Sequence, residues 1–132
     1  MDQQIKTNIH TKINGITNLT GKVFYGKAPD NKTPPYCVYE TVAMIAEKDT
    51  ANSYDTYWLQ FSVFDDDVNP TDAETAGKAI RDALDASEGS WASMTRYTIT
   101  SIDCIKPIKT MTDIDGKYWI VIVEFKLKLQ IK

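Results

Sequence analysis

Residues 57–84 hold the chain to one local arrangement: a strand, an acidic corner and a helix in immediate succession. In Tyr57-Trp58-Leu59-Gln60-Phe61-Ser62-Val63-Phe64, the residues Tyr57, Leu59, Phe61 and Val63 fall on one face while Gln60 and Ser62 interrupt the other. That is the period of two of a half-buried strand. Asp65-Asp66-Asp67 stops the pattern. Asn69 then offers an oxygen to a free N–H of the next turn, and Pro70 supplies a helical φ where no N–H is needed, so a helix is predicted to start at Pro70. Ala73, Ala76, Gly77, Ile80, Ala83 and Leu84 recur every three or four residues, and such a stripe of small side chains lets a helix lie close on a sheet.

Ahead of this unit, Ile5, Ile9, Ile13 and Ile16 form one apolar stripe among Lys, Asn and Gln. They predict an amphipathic helix over 3–13, stopped by Asn14-Gly15 in the left-handed conformation common just past a helix. A short strand over 22–25 precedes a loop over 26–35, where prolines and a glycine remove the donors and torsions that regular structure needs. Residues 36–44 read as a second strand, with Tyr36, Val38 and Val42 on its apolar face and Glu40 out of place there. Between 46 and 56 the chain turns polar without an apolar period and reads as a connecting loop.

Beyond the helix, Glu88-Gly89-Ser90 breaks away, and Trp91 and Met94 read as a lid on the helix end. Residues 96–105 return to strand character, with Lys106-Pro107 marking an edge or an end. The stretch 109–117 is polar and closes on Asp115-Gly116, a favoured two-residue reversal between antiparallel strands. Finally Trp119, Val121, Val123, Phe125, Leu127, Leu129 and Ile131 alternate with Tyr118, Ile120, Ile122, Glu124, Lys126, Lys128 and Gln130. At about 3.3 Å per residue this strand would extend roughly 40 Å. Its tail is expected to project from a sheet edge, presenting Phe125, Leu127, Leu129 and Ile131 to another subunit, with Lys126 and Lys128 blunting the solvent side.

At 132 residues the chain suits one domain with one real core. Its 42% hydrophobic and 25% charged residues are ordinary for a globular protein. A net charge of −3 removes the usual electrostatic reason to grip nucleic acid. Cys37 and Cys104 are far apart and belong to no CxxC pair, so thiolate metal ligation is not expected and both read as reduced, partly buried thiols. The opening Met1-Asp2-Gln3-Gln4-Ile5-Lys6 has no apolar signal core, and no run approaches a membrane span, so a cytoplasmic start and no membrane partner are expected. The sequons at Asn18 and Asn31 then read as coincidental loop sequence.

Catalytic frames are absent: there is no HExxH, GxGxxG, Walker loop or GxSxG. The single histidine, His10, stands in the first helix without a partner motif and reads as a surface or interfacial residue. No catalytic residue, no cofactor and no metal ligand is therefore assigned. Asp65, Asp66 and Asp67, with Asp72 nearby, offer the oxygens that Mg²⁺ or Ca²⁺ select. Consecutive residues cannot all point one way, however, and acids before a helix already suit its positive end, so the corner reads as a stop and a cap. Asp113-Ile114-Asp115-Gly116 resembles a fragment of a calcium loop but lacks its frame, and a hairpin turn suffices.

Four segments taken in order carry a family likeness: Val23-Phe24-Tyr25-Gly26-Lys27-Ala28-Pro29, Thr33-Pro34-Pro35-Tyr36-Cys37-Val38-Tyr39, Leu59-Gln60-Phe61-Ser62-Val63-Phe64, and the Ala-rich helix from Ala73 through Gly77 to Leu84. Together they resemble the tail-completion or tail-terminator proteins of long-tailed phages and prophages. The resemblance implies a single α+β domain, a twisted, mainly antiparallel β-sheet with two α-helices on one face, assembled as a hexameric ring. Such a ring caps the head-proximal end of the tail tube, ends tube polymerisation and meets the head connector, with DNA passing through its lumen unbound. The implied partners are further copies of the chain, monomeric before assembly in some cases, the tail tube protein and the head-completion or connector protein. The implied location is the virion neck after assembly in the host cytoplasm. On charge and exposure, Asp65, Asp66 and Asp67, or Glu47, Lys48 and Asp49 in the 46–56 link, are the candidates to face the lumen or tube. Two other classes stand beside this one: a divalent-metal-dependent regulator using the three aspartates, and a small dimeric binding module from a mobile element.

Overall fold

The computed structural model describes residues Met1–Lys132. Helix α1 (Gln3–Ile13) is followed by β1 (Val23–Tyr25), β2 (Tyr36–Lys48), β3 (Ser53–Asp65), α2 (Thr71–Leu84), β4 (Tyr97–Cys104), β5 (Lys109–Thr112) and β6 (Trp119–Ile131). A single turn of 3₁₀ helix at Glu88–Ser90 links α2 to β4. The sheet runs β1-β2-β3-β6-β4, with β5 also on β6. All its pairings are antiparallel except β1 with β2. The fold is α+β, with the two helices on one face of an open sheet.

The alternation read from 57–64 is the one the sheet uses. Tyr57, Leu59, Phe61 and Val63 are buried toward the helices, and Trp58, Gln60, Ser62 and Phe64 face away. Helix α2 lies so close that a Cβ placed on Gly77 would come 2.6 Å from Cγ1 of Val121. On α1 the stripe Ile5, Ile9 and Ile13 is fully buried. Helix α2 starts at Thr71, one residue later than expected, with Pro70 as its cap position. The Asn69 side chain does accept the Thr71 N–H, at 3.1 Å. Helix α1 does stop at Ile13, but Asn14 stays right-handed and the left-handed residues are Asn18 and Gly21. Asn14 closes that turn instead by accepting the Gly21 N–H at 2.9 Å.

Four expectations are corrected. The buried face of β2 belongs to Cys37 and Tyr39, not to Tyr36, Val38 and Val42. Glu40 is therefore on the solvent side and not out of place, and Val42 falls in a bulge between Thr41 and Ala43. The 46–56 link is not a loop but the far end of a long hairpin, paired from Ala46↔Asp55 to Lys48↔Ser53. From 46 to 51 both faces are exposed, and the buried residues of the returning strand, Asp55 and Thr56, are polar, so no apolar alternation marks the pairing. Residues 109–112 form a strand, and the reversal after them spans 113–118, where Asp113 accepts N–H groups from Lys117 and Tyr118.

The fourth correction concerns β6. It is as long as its alternation implied but lies between β3 and β4, inside the sheet and not at its edge. Phe125, Leu127 and Leu129 are fully buried in this chain's own core, with Ile131 partly buried beside them. Periodicity reports that a face is covered and is blind to whether a helix of the same chain or another subunit covers it.

The segment over 91–95 straps α1 more than it lids α2. Asn8, 7% exposed, accepts the Ala92 N–H at 2.7 Å and donates to the Ala92 carbonyl at 3.2 Å. Gln4 accepts the Thr95 N–H, and Met94 is buried in the core.

Candidate assembly surface

Because both helices cover one face of the sheet, the other face is open. Residues paired across neighbouring strands share a face, so this open face reads in rows: Ile45 with Thr56 and Lys128, Ala43 with Trp58 and Lys126, Gln60 with Glu124, and Tyr36 with Phe64 and Ile120. Val42, Met44 and Ile45 are each more than half exposed, and Trp58 is 44% exposed. Strand β1 covers the outer edge of β2 only at Cys37, Val38 and Tyr39. From Glu40 to Lys48 that edge has no partner strand, and its backbone donors and acceptors are open to an incoming chain.

The two ends of the sheet differ. At one end β3 gives way to the acidic corner and β6 begins. Here Asp65 is 4% exposed and accepts the Asp67 N–H at 3.2 Å, while Asp67 accepts the Val68 N–H at 2.7 Å. Burial first, then the charges of Asp67 and Asp66, raise the Asp65 carboxyl above its ordinary range. One carboxylate oxygen each from Asp65, Asp67 and Asp72 lie within 4.8 Å of one another, so these are the residues that could approach a hard cation. Two of those carboxylates already accept backbone N–H groups of the turn, which serves the corner role without an ion. The same end carries two bare aliphatic side chains, Val68 at 93% and Ile114 at 105% exposure.

At the opposite end the β2–β3 hairpin closes through Asp49, whose carboxylate accepts N–H groups from Ala51 and Asn52 at 3.0 and 2.8 Å. Those bonds hold the Asp49 carboxyl below its ordinary range. Glu47, Lys48 and Asp49 are all exposed. Asp65, Asp66 and Asp67 therefore sit a full strand length away from Glu47, Lys48 and Asp49, and the structure does not bring the two candidate groups together. Nothing in the residues themselves marks the edge at 42–45 as exposed, because Val42, Ala43, Met44 and Ile45 are equally the residues of a buried strand.

His10 is exposed and lines an open groove of about 270 Å³ with Lys6, Thr7 and Thr11. No carboxylate, serine or cysteine joins it there. Cys37 and Cys104 are free thiols on strands separated by β3 and β6. That is about 14 Å at ~4.8 Å per strand, beyond the roughly 7 Å that a disulfide spans between Cα atoms. No helix is long and apolar enough to cross a membrane.

No curated protein matches the sequence. A solved chain from the virion of a native gene transfer agent particle matches with a TM-score of 0.80 and 13% identity, over 96% of this chain and 94% of that one. At that identity the likeness shows a shared fold. The family model described as tail completion protein gp17 matches residues 11–127, which take in nearly the whole sheet, all of α2 and the last turn of α1, and the chain therefore belongs to the phage tail completion family as a structural tail protein.

Proposed function

We propose that copies of this chain form a ring that caps the head-proximal end of a phage tail tube, ends its polymerisation and joins it to the head connector. The observation that carries this reading is the family match over 11–127 combined with a surface built for contact and not for turnover. The sheet has an uncovered face, an unpartnered apolar edge at 42–45, and bare aliphatic side chains at its other end. Of the sequence's contact candidates, Asp66, Asp67, Glu47, Lys48 and Asp49 are exposed and stay in the proposal. Phe125, Leu127 and Leu129 are spent on the core. An acidic chain of net charge −3 suits a lumen through which DNA slides without being held.

Electron microscopy of tails assembled without the chain tests this directly. Tubes longer than normal, or of normal length but unjoined to heads, are expected. Normal tubes normally joined would refute it.

A further inference from the structure

We propose that the cavity bounded by Ala43, Ile45, Thr56, Trp58 and Lys126 is a socket for a second copy of this chain, entered by Val68 from that copy's acidic end. The inference rests on the ring reading above and says which surfaces mate. The socket holds about 110 Å³, room for roughly three waters or one short branched side chain. Its wall is apolar at Ala43, Ile45 and Trp58, yet it contains one unanswered polar atom. Thr56 is only 4% exposed and its Oγ1 has no hydrogen-bond partner. A buried hydroxyl without a partner is costly, so the occupant that completes this site brings an acceptor as well as a hydrocarbon group.

Charge selects the occupant. Lys126 lines the socket and Lys128 stands in the next row, 4.5 Å over the Tyr54 ring; neither is in a salt bridge. Lys106, 5.9 Å from the Trp58 ring, is already neutralised by Glu124 at 3.3 Å. The acids near these lysines are Glu40, Glu47 and Asp103 on the same face, Asp103 directly across from Lys126, and Asp49 at the hairpin tip, which feels the charge of Lys128; none closes a salt bridge with either lysine. At the acidic end of the sheet, Asp66 and Asp67 have no cationic partner either, and they immediately precede Val68, an aliphatic side chain 93% exposed. An acid beside a bare aliphatic group is what a socket with a lysine, a free hydroxyl and an apolar wall would take. Since the socket lies near the middle of the open face and the knob at the sheet's acidic end, the two mating surfaces differ and the contact is head-to-tail, the type that closes into a ring when its rotation permits.

Tail particles carrying Val68→Cys and Ile45→Cys on a Cys104→Ser background, treated with a short bis-maleimide, test the contact. Both positions are exposed, so the fold tolerates them. A ladder of covalent multiples of the chain is expected, and neither single-cysteine variant should give one. Adding Asp66→Lys and Asp67→Lys, or Lys126→Glu and Lys128→Glu, should weaken the ladder at least tenfold, and all four together should restore it. Particles that contain the chain but yield no ladder overturn the docking and leave the ring reading standing. So do links from Val68→Cys alone, or links to a protein of another mass. Particles made with the parent chain that lack it altogether overturn both.

Discussion

The absence of a side chain at Gly77 sets how near α2 approaches the sheet, and the distance leaves no slack. Gly77→Ala drives a methyl against the fully buried Val121 at 2.6 Å. Overpacking of this kind costs about 1–3 kcal/mol, which urea denaturation should read as a lower midpoint at unchanged slope. Asp65 behaves in the opposite sense. Burial raises its carboxyl pKa, so its contribution to stability is complete below the unfolded carboxylate range and is lost as pH rises through the raised folded value. At pH 7 its charge weighs against the fold. Asp65→Asn keeps an acceptor for the Asp67 N–H, so the variant should be more stable than the parent at pH 7, with the gain gone below about pH 4. Cys37 is pushed from 9.0 to about 12 by burial. Its share of stability is whole below the unfolded value and is lost between about pH 9 and 12. Cys37→Ala should flatten that alkaline loss without abolishing it, since burial also raises Tyr39 and Tyr97. In the native protein a thiol reagent should modify Cys104 and spare Cys37.

Elements that carry their own pattern were legible, and those whose pattern belongs to a neighbour were not. Tyr57, Leu59, Phe61 and Val63 announce β3, and the isoleucine stripe announces α1, because each faces a core with its own side chains at the right period. The hairpin extension at 46–56 carries no such signature, because its outer part is wet on both faces and its buried residues, Asp55 and Thr56, are polar, and the phase of β2 is ambiguous in the sequence because Tyr36, Val38 and Val42 are as apolar as Cys37 and Tyr39. The strap over α1 shows the same limit. Asn8 looks like any polar residue on a helix, and only the folded chain brings Ala92 to it. Asn8→Ala leaves both backbone groups of Ala92 without their partner and should cost about 1–3 kcal/mol. Faster amide exchange at Ala92 would locate the loss.

On the scale of the whole molecule, stability and assembly draw on different parts of the sheet. The core between helices and sheet uses the buried alternation of β3 and β6, while Val42, Met44 and Ile45 remain more than half exposed. Replacing these three with serine should change the unfolding free energy by no more than about 0.5 kcal/mol per site. The same variant should be lost from tails, which quantitative mass spectrometry of purified particles would check. The amino-acid sequence by itself determined the run from β3 through the corner to α2, because local periodicity and turn chemistry act between residues a few positions apart, and the ordered set of four segments carried the likeness to the family and its class of fold. Only the tertiary structure decided that β6 lies inside the sheet, that Phe125, Leu127 and Leu129 are consumed there, and that the apolar edge left for partners belongs to β2. Sheet order is set by pairings between distant segments, and a strand's own alternation is the same whether it is flanked on one side or on both.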